Sequence, residues 1–272
     1  MQKIRAERGY LIIAQNSNDT DYLQCARVLA HSIRHVEPQA NICLMTDQVQ
    51  NTDPVFSDVV EFPFGDHSGS DAWKLHNDWQ CFYGSPYRQT IKLEADMIVP
   101  INISHWFDIC QHKELVLTIG TKNYLGEDSD VRYYRQIFDA NDLPDVYNAV
   151  TYWRRSQPAK EFFDLVRKIF AQWDDVMTTI KLGQGQPLNT DLAYAMAAKV
   201  LGVEQYTLPI AVPKMIHMKK AINRLQEEDW TRELVWEYEP GSFRLQTIQQ
   251  LWPVHYHVKN FAKKLEESWI KD

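Results

Sequence analysis

Over its first hundred residues the chain alternates short apolar runs with amphipathic ones, and few architectures accommodate that order. "YLIIA" (10–14) reads as a strand and "DTDYLQCARVLAHSIRHV" (19–36) as a helix. In that helix Tyr22, Ala26, Leu29 and Ile33 recur at i, i+4, i+7 and i+11 behind a polar start. "NICLMTD" (41–47), "DVVEFPF" (58–64), a helix within 71–83 and the strand "RQTIKLEADMIVP" (88–100) continue the series. Such alternation predicts an α/β fold, a mostly parallel sheet with helices on its faces. Ligands in that architecture bind beyond the carboxyl ends of the strands. Those ends carry "QNSND", "TD" and "EAD".

Past residue 110 the pattern loosens without breaking into a second unit. "ELVLTIGT" (114–121) and "VYNAVTYWRR" (146–155) read as strands, separated by the polar loop "LGEDSDVRYYRQ" (125–136). A helix is expected over 158–173, with Pro158 in its first turn and Phe162, Val166, Ile169 and Trp173 on one stripe. Another follows Asn189 or Thr190 as cap and stops near Gly202. Strands near 206–218, a hairpin around "EPGS" (239–242) and the strand-like "WPVHYHVKN" (252–260) complete the tail. With no repeat or linker, the expectation is one domain over 1–272.

Two acids interrupt an otherwise apolar strand. If residues 88–100 are one strand, Glu94 and Asp96 share a face, and like charges side by side call for a positive group between them, a divalent cation first among candidates. "HYH" places His255 and His257 on one strand face, with Lys259 behind. A lone histidine is more often a surface or satisfied core residue, but two carboxylates and an imidazole together suit Mn²⁺ or Mg²⁺. "IHMKK" (216–220) brings His217 as a competing ligand, read here as part of a solvated basic turn. "QNSNDTD" offers short polar side chains that cap the next helix or read a nucleobase. Trp153, Trp252 and Tyr147 lie near polar motifs and offer flat faces to a sugar ring. The glycine pair of "LGQGQPLN" lacks the strand-to-helix context of a dinucleotide fingerprint, and no G-x-S-x-G occurs.

Composition narrows the setting. The four cysteines are far apart, without the paired spacing of zinc or redox motifs, and no run is long and apolar enough for a membrane span. No signal peptide is visible, so a cytoplasmic protein with reduced thiols is expected. A net charge of −7 gives no general attraction to nucleic acid.

These residues, in this order, resemble nucleotide-sugar glycosyltransferases of the GT-A fold, particularly the retaining group that contains glycogenin and bacterial lipooligosaccharide galactosyltransferases. The likeness runs through "LIIAQNSND" and the helix with Tyr22, "WKLHNDW" (73–79), "LEADMIVPINISHWF", "YNAV" (147–150), "NTDLAY" and "VHYHVK". It departs where Glu94 replaces the family's first aspartate, where Ala149 and Val150 lack its glycine, and where G-x-x-K-P-W is missing after the histidine. The resemblance implies a Rossmann-like mixed sheet, with about 1–110 as the nucleotide-binding half and 111–272 as the sugar and acceptor half. It further implies Ala14, Asn16, Asn18 and Tyr22 at the uridine of a UDP-sugar and Glu94, Asp96 and His255 or His257 on Mn²⁺. Lys74 and Lys259 would assist electrostatically, Asn148 and Asp191 would line the sugar, and the anomeric configuration would be retained. A transferase acting on modified nucleic-acid bases and a non-catalytic nucleotide- or carbohydrate-binding module are the alternatives.

Overall fold

A computed structural model describes residues 2–50, 53–68, 74–129, 135–208 and 212–269. Its elements run β1 (Ala6–Ile13), α1 (Tyr22–Val36), β2 (Ile42–Met45), β3 (Asp58–Val60), a 3₁₀ turn (Leu75–Gln80), α2 (Cys81–Gly84), β4 (Tyr87–Glu94) and β5 (Met97–Ile98). Then come α3 (His105–Cys110), β6 (Leu115–Ile119), α4 (Gln136–Ala140), β7 (Val146–Arg154), α5 (Gln157–Ala171), α6 (Trp173–Thr179) and α7 (Thr190–Leu201). The tail holds β8 (Ile216–His217), α8 (Lys220–Asn223), β9 (Trp236–Glu239), β10 (Ser242–Leu245), β11 (Ile248–Gln249), β12 (Val254–His255) and α9 (Asn260–Trp269).

Six strands form the main sheet in the order β3-β2-β1-β4-β7-β6. β3, β2, β1 and β4 pair in parallel, whereas β7 runs antiparallel to both β4 and β6, so the sheet is mixed. Both faces of its central strands are covered, which is why β1 reads as a continuous apolar run. Tyr10 and Ile12 pack with Leu29 and Ile33 of α1, while Leu11 packs on the opposite side with Phe162 of α5 and Tyr194 of α7. The helix starts are set locally. Asp21 Oδ1 accepts from Gln24 N at 2.9 Å, Ser156 Oγ from Ala159 N at 3.3 Å and Asn189 Oδ1 from Leu192 N at 3.0 Å.

After β1 the chain builds outward through β2 and β3 and returns to the other side of β1 as β4. The direction of winding therefore reverses between β1 and β4, whose last residues, Ile13 and Glu94, are in register. The "QNSND" loop and the acidic turn emerge side by side at the crevice where such sheets bind ligands.

Several expectations change. The run 88–100 is not one strand: β4 ends at Glu94, Ala95 and Asp96 form a turn, and β5 joins a separate sheet, β5-β12-β8. β12 covers only Val254 and His255, and His257 lies beyond it at φ 60°. The helix over 158–173 divides into α5 and α6, and the segment 75–84 begins as a 3₁₀ turn. Residues 71–73 of that expected helix, 130–134 of the polar loop and 209–211 of the expected strand region lie outside the described residues. Trp153 and Tyr147 are buried rather than facing a ligand, Trp153 against Phe163 and Tyr147 under Arg135.

One close approach in the main sheet is testable. A Cβ on Gly9 would lie 2.3 Å from Tyr87 Cε2, and Tyr87 is held by its hydroxyl on Asp58 at 3.0 Å. Gly9→Ala is expected to cost about 1–3 kcal/mol through overpacking, read as a lowered thermal midpoint. An unchanged midpoint would mean that the ring moves aside freely.

Candidate metal centre

The turn after β4 and the start of the tail's small sheet bring the acids and the histidines together. β12 pairs antiparallel with β5, placing His255 opposite Met97 and thus beside the turn. His255 Nε2 stands 2.9 Å from Asp96 Oδ2 and 3.5 Å from Glu94 Oε2. One donor atom from each of these three residues lies within 4.8 Å of the others. Lys259 donates to Asp96 Oδ2, and its ammonium sits 5.2 Å from the ring centre of Tyr22 at the start of α1. The two acids therefore do meet, through a turn rather than through strand alternation.

Their electrostatics differ. Burial pushes the Glu94 carboxyl above the usual range, with His255 pulling against it and Asp96 adding to it. Burial works the same way on Asp96, but His255 and Lys259 outweigh it and hold that carboxyl well below the usual range. Burial opposes protonation of His255, yet Asp96 and Glu94 raise its pKa above that of an ordinary histidine. Lys259 and His255 thus supply the positive charge that the acid pair requires. The donor set fits a divalent cation of the Mn²⁺ or Mg²⁺ class: two hard carboxylates and one imidazole, already converged.

His217 is not in a solvated turn. It is buried at 4% exposure on β8, in parallel register with His255 on β12. His257 folds back over the same face, its ring stacked on His255 with centroids 4.3 Å apart and its Nε2 3.1 Å from His217 Nε2. Burial, reinforced by His255, pushes His257 down to about 2, and His217 is lowered by the same causes, so both rings are neutral. The histidines of 216–220 and 252–260 were visible in sequence; that His217 sits on a strand paired with that of His255 was not.

The other expected site residues spread around this centre. Ala14 is buried, its N–H on Met45 O at 3.0 Å. Asn16 uses its Oδ1 on Leu23 N at 3.0 Å, Asn18 is exposed, and Tyr22 is half-buried beside Lys259. Lys74 precedes the 3₁₀ turn, close enough to Asp66 to help hold that carboxyl low. Asn148 is fully buried on β7: its N–H donates to Asp191 Oδ1 at 2.7 Å and its amide to Asp78 Oδ2 at 3.0 Å. Asp191, in the first turn of α7, also accepts from Arg135 Nη1 at 3.0 Å and keeps a quarter of its side chain exposed.

Behind these residues lies a buried network that sequence reasoning missed. Lys92, 1% exposed on β4, pairs with Asp78, whose Oδ2 accepts from Asn148 and, at 2.5 Å, from the Tyr194 hydroxyl. Lysine inside an apolar strand was the available signal. Arg135 lies 2.7 Å from Asp145 and packs over Tyr147 and Phe138. It opens onto a cavity of about 960 Å³ that is also lined by Gln184, Gln186, Asn189, Asp191 and Lys219.

No family model matches the chain, and no curated protein does. Solved structures do. A galactosyltransferase LgtC in complex with donor and acceptor sugar analogs superposes with a TM-score of 0.55 at 10% identity, over 96% of this chain and 95% of that one. An active-site mutant of LgtC gives 0.51 at 11% identity, over the same shares of each chain. At such identities the likeness is one of fold, and the fold is that of the GT-A glycosyltransferases, as the order of motifs implied.

Proposed function

We propose that this GT-A chain is a divalent-metal-dependent transferase that moves a sugar from a UDP-sugar to an acceptor, with retention at the anomeric carbon. The observation that carries the reading is the convergence of Glu94, Asp96 and His255 where β1 and β4 end together. That crevice, beyond the carboxyl ends of the strands, is where sheets of this kind bind their ligands. Support for UDP and for retention comes from the resemblance of the sequence motifs.

Glu94, Asp96 and His255 would hold Mn²⁺ or Mg²⁺, which when bound supplies charge neutralisation to a departing diphosphate. The chain's own groups do the rest. Lys259, with 30% of its side chain exposed, offers its ammonium to the same diphosphate. Tyr22 and the backbone around Ala14 wall the nucleoside side, and Asn16 fixes the loop by holding Leu23 N. Asp191 is open to the sugar, whereas Asn148, its amide committed to Asp78, orients Asp191 through its N–H. The amide-rich cavity beside Asp191 is the place for an acceptor.

Because the diphosphate and the acid pair repel each other without a cation between them, UDP is expected to bind in the micromolar range with Mn²⁺ and at least about tenfold more weakly in chelator. Calorimetric titration measures both. Equal affinity in chelator would contradict the metal-bridged donor, and a parallel screen of UDP-, GDP- and TDP-sugars for Mn²⁺-dependent hydrolysis identifies the base. Among the described residues no helix is long and apolar enough to cross a membrane.

A further inference from the structure

The carboxylate set uses one histidine, yet three imidazoles converge beside it. His217 and His255 are register partners on neighbouring parallel strands, so their side chains leave the sheet on one face. His257 reaches that face only because residue 257 takes a left-handed backbone, φ 60°, which is uncommon for a residue with a Cβ. Each ring places a nitrogen within 4.8 Å of the other two. His217 Nε2 and His257 Nε2 are 3.1 Å apart. Two Zn–N bonds of about 2.0–2.1 Å at a tetrahedral angle put their nitrogens roughly 3.3 Å apart, so the pair is already spaced for one small cation. Nδ1 of His217 and Nδ1 of His255 are buried without a hydrogen-bond partner among the described residues, whereas a buried polar nitrogen ordinarily has one.

We propose that His217, His255 and His257 form a second metal site, distinct from the carboxylate set, that takes a nitrogen-preferring transition cation of the Zn²⁺ or Co²⁺ class. Three imidazoles, His255 giving up its proton as the cation binds, and an open fourth position suit such an ion, whereas Mg²⁺ and Ca²⁺ prefer oxygen. A neutral imidazole has one nitrogen lone pair to give. His255 therefore serves either the carboxylate set or the imidazole set, and the two sites are alternatives: a zinc-class cation takes His255 away from a hard one. Asp96 acts on His255 and His257 and Glu94 on His255, against the positive charges of Lys219, Lys259 and Arg135 around the imidazoles. Exclusion of the hard cation bears on sugar transfer only if the carboxylate set works as proposed above. Binding of Co²⁺ itself is read without any donor.

The test uses metal-free full-length protein titrated with Co²⁺. Proton NMR of the loaded wild type counts shifted, exchangeable imidazole N–H signals: three are expected for the imidazole set, one for the carboxylate set. The visible d–d bands give affinity. His257→Asn keeps the left-handed backbone, which asparagine tolerates, and is expected to weaken Co²⁺ binding by at least about 10–100-fold, the range that loss of a residue merely supporting a ligand already costs. His217→Asn should do the same, while Glu94→Gln, which removes one nearby negative charge but no imidazole, should cost less than either. A single shifted N–H, or a loss that follows Glu94→Gln and spares His257→Asn, overturns the second site and leaves the carboxylate reading standing. If the buried-site variant His217→Asn does not fold, the wild-type NMR count and His257→Asn still decide.

Discussion

Asp96→Asn is expected to lower metal-dependent donor hydrolysis by at least about 10²–10³-fold while the protein still folds. The change keeps size and shape but removes a charge and one hard anionic ligand from the centre formed with Glu94 and His255. Its effect on stability follows from structure rather than from the sequence pattern. Two acids read as neighbours on a strand suggest repulsion, and neutralising one would then stabilise. In the folded protein Asp96 is already compensated by His255 and Lys259, which hold its carboxyl well below the usual range. Asparagine relieves repulsion with Glu94 but leaves two buried or half-buried cations without a full counter-charge. The net is a loss on the order of 1–3 kcal/mol, less than for a fully buried pair because Lys259 reaches water. Mn²⁺-dependent hydrolysis and thermal melting on the same preparations check both parts. A variant that melts at or above the wild-type temperature and hydrolyses donor at the wild-type rate would sink the metal-centre assignment.

The largest expected loss of stability is at Lys92. Its side chain is 1% exposed, burial opposes its charge, and Asp78 nevertheless holds its ammonium above the ordinary lysine range. Lys92→Met keeps the aliphatic stem and removes the charge, leaving the Asp78 carboxylate inside with Asn148 and Tyr194 as its donors among the described residues. Breaking a buried pair by removing one partner costs about 3–5 kcal/mol. That is a large part of the roughly 5–15 kcal/mol by which domains are stable, and it should lower the melting midpoint by on the order of 10 °C. Adding Asp78→Asn to Lys92→Met removes the orphaned charge and should recover part of the loss, since Asn148 and Tyr194 retain an acceptor. A midpoint within about 2 °C of wild type in the single variant would show that the pair contributes little. Because Asn148 bridges Asp78 to Asp191, the single variant is also expected to lower turnover beyond its effect on the folded fraction.

The alternation of strands and helices, the polar start of α1, the Asn189 or Thr190 cap of α7, the amphipathic stripe of α5 and the hairpin at 239–242 were legible in the chain because each depends on residues a few positions apart. The acids at 94 and 96 could be singled out for the same reason, although a turn, not a pleat, brings them together. What surrounds them was decided only by folding. Parallel pairing of β8 with β12 sets His217 against His255, and β12 against β5 sets His255 over the acidic turn. The burial of Lys92 selects Asp78 from another element as its partner. Sequence by itself determined which local structures form and which residues have the chemistry to matter, because propensity, periodicity and charge act over one or two turns of chain. Tertiary structure decided which of those residues meet, because sheet register and the cost of leaving a buried charge unpaired act between segments that the sequence leaves far apart.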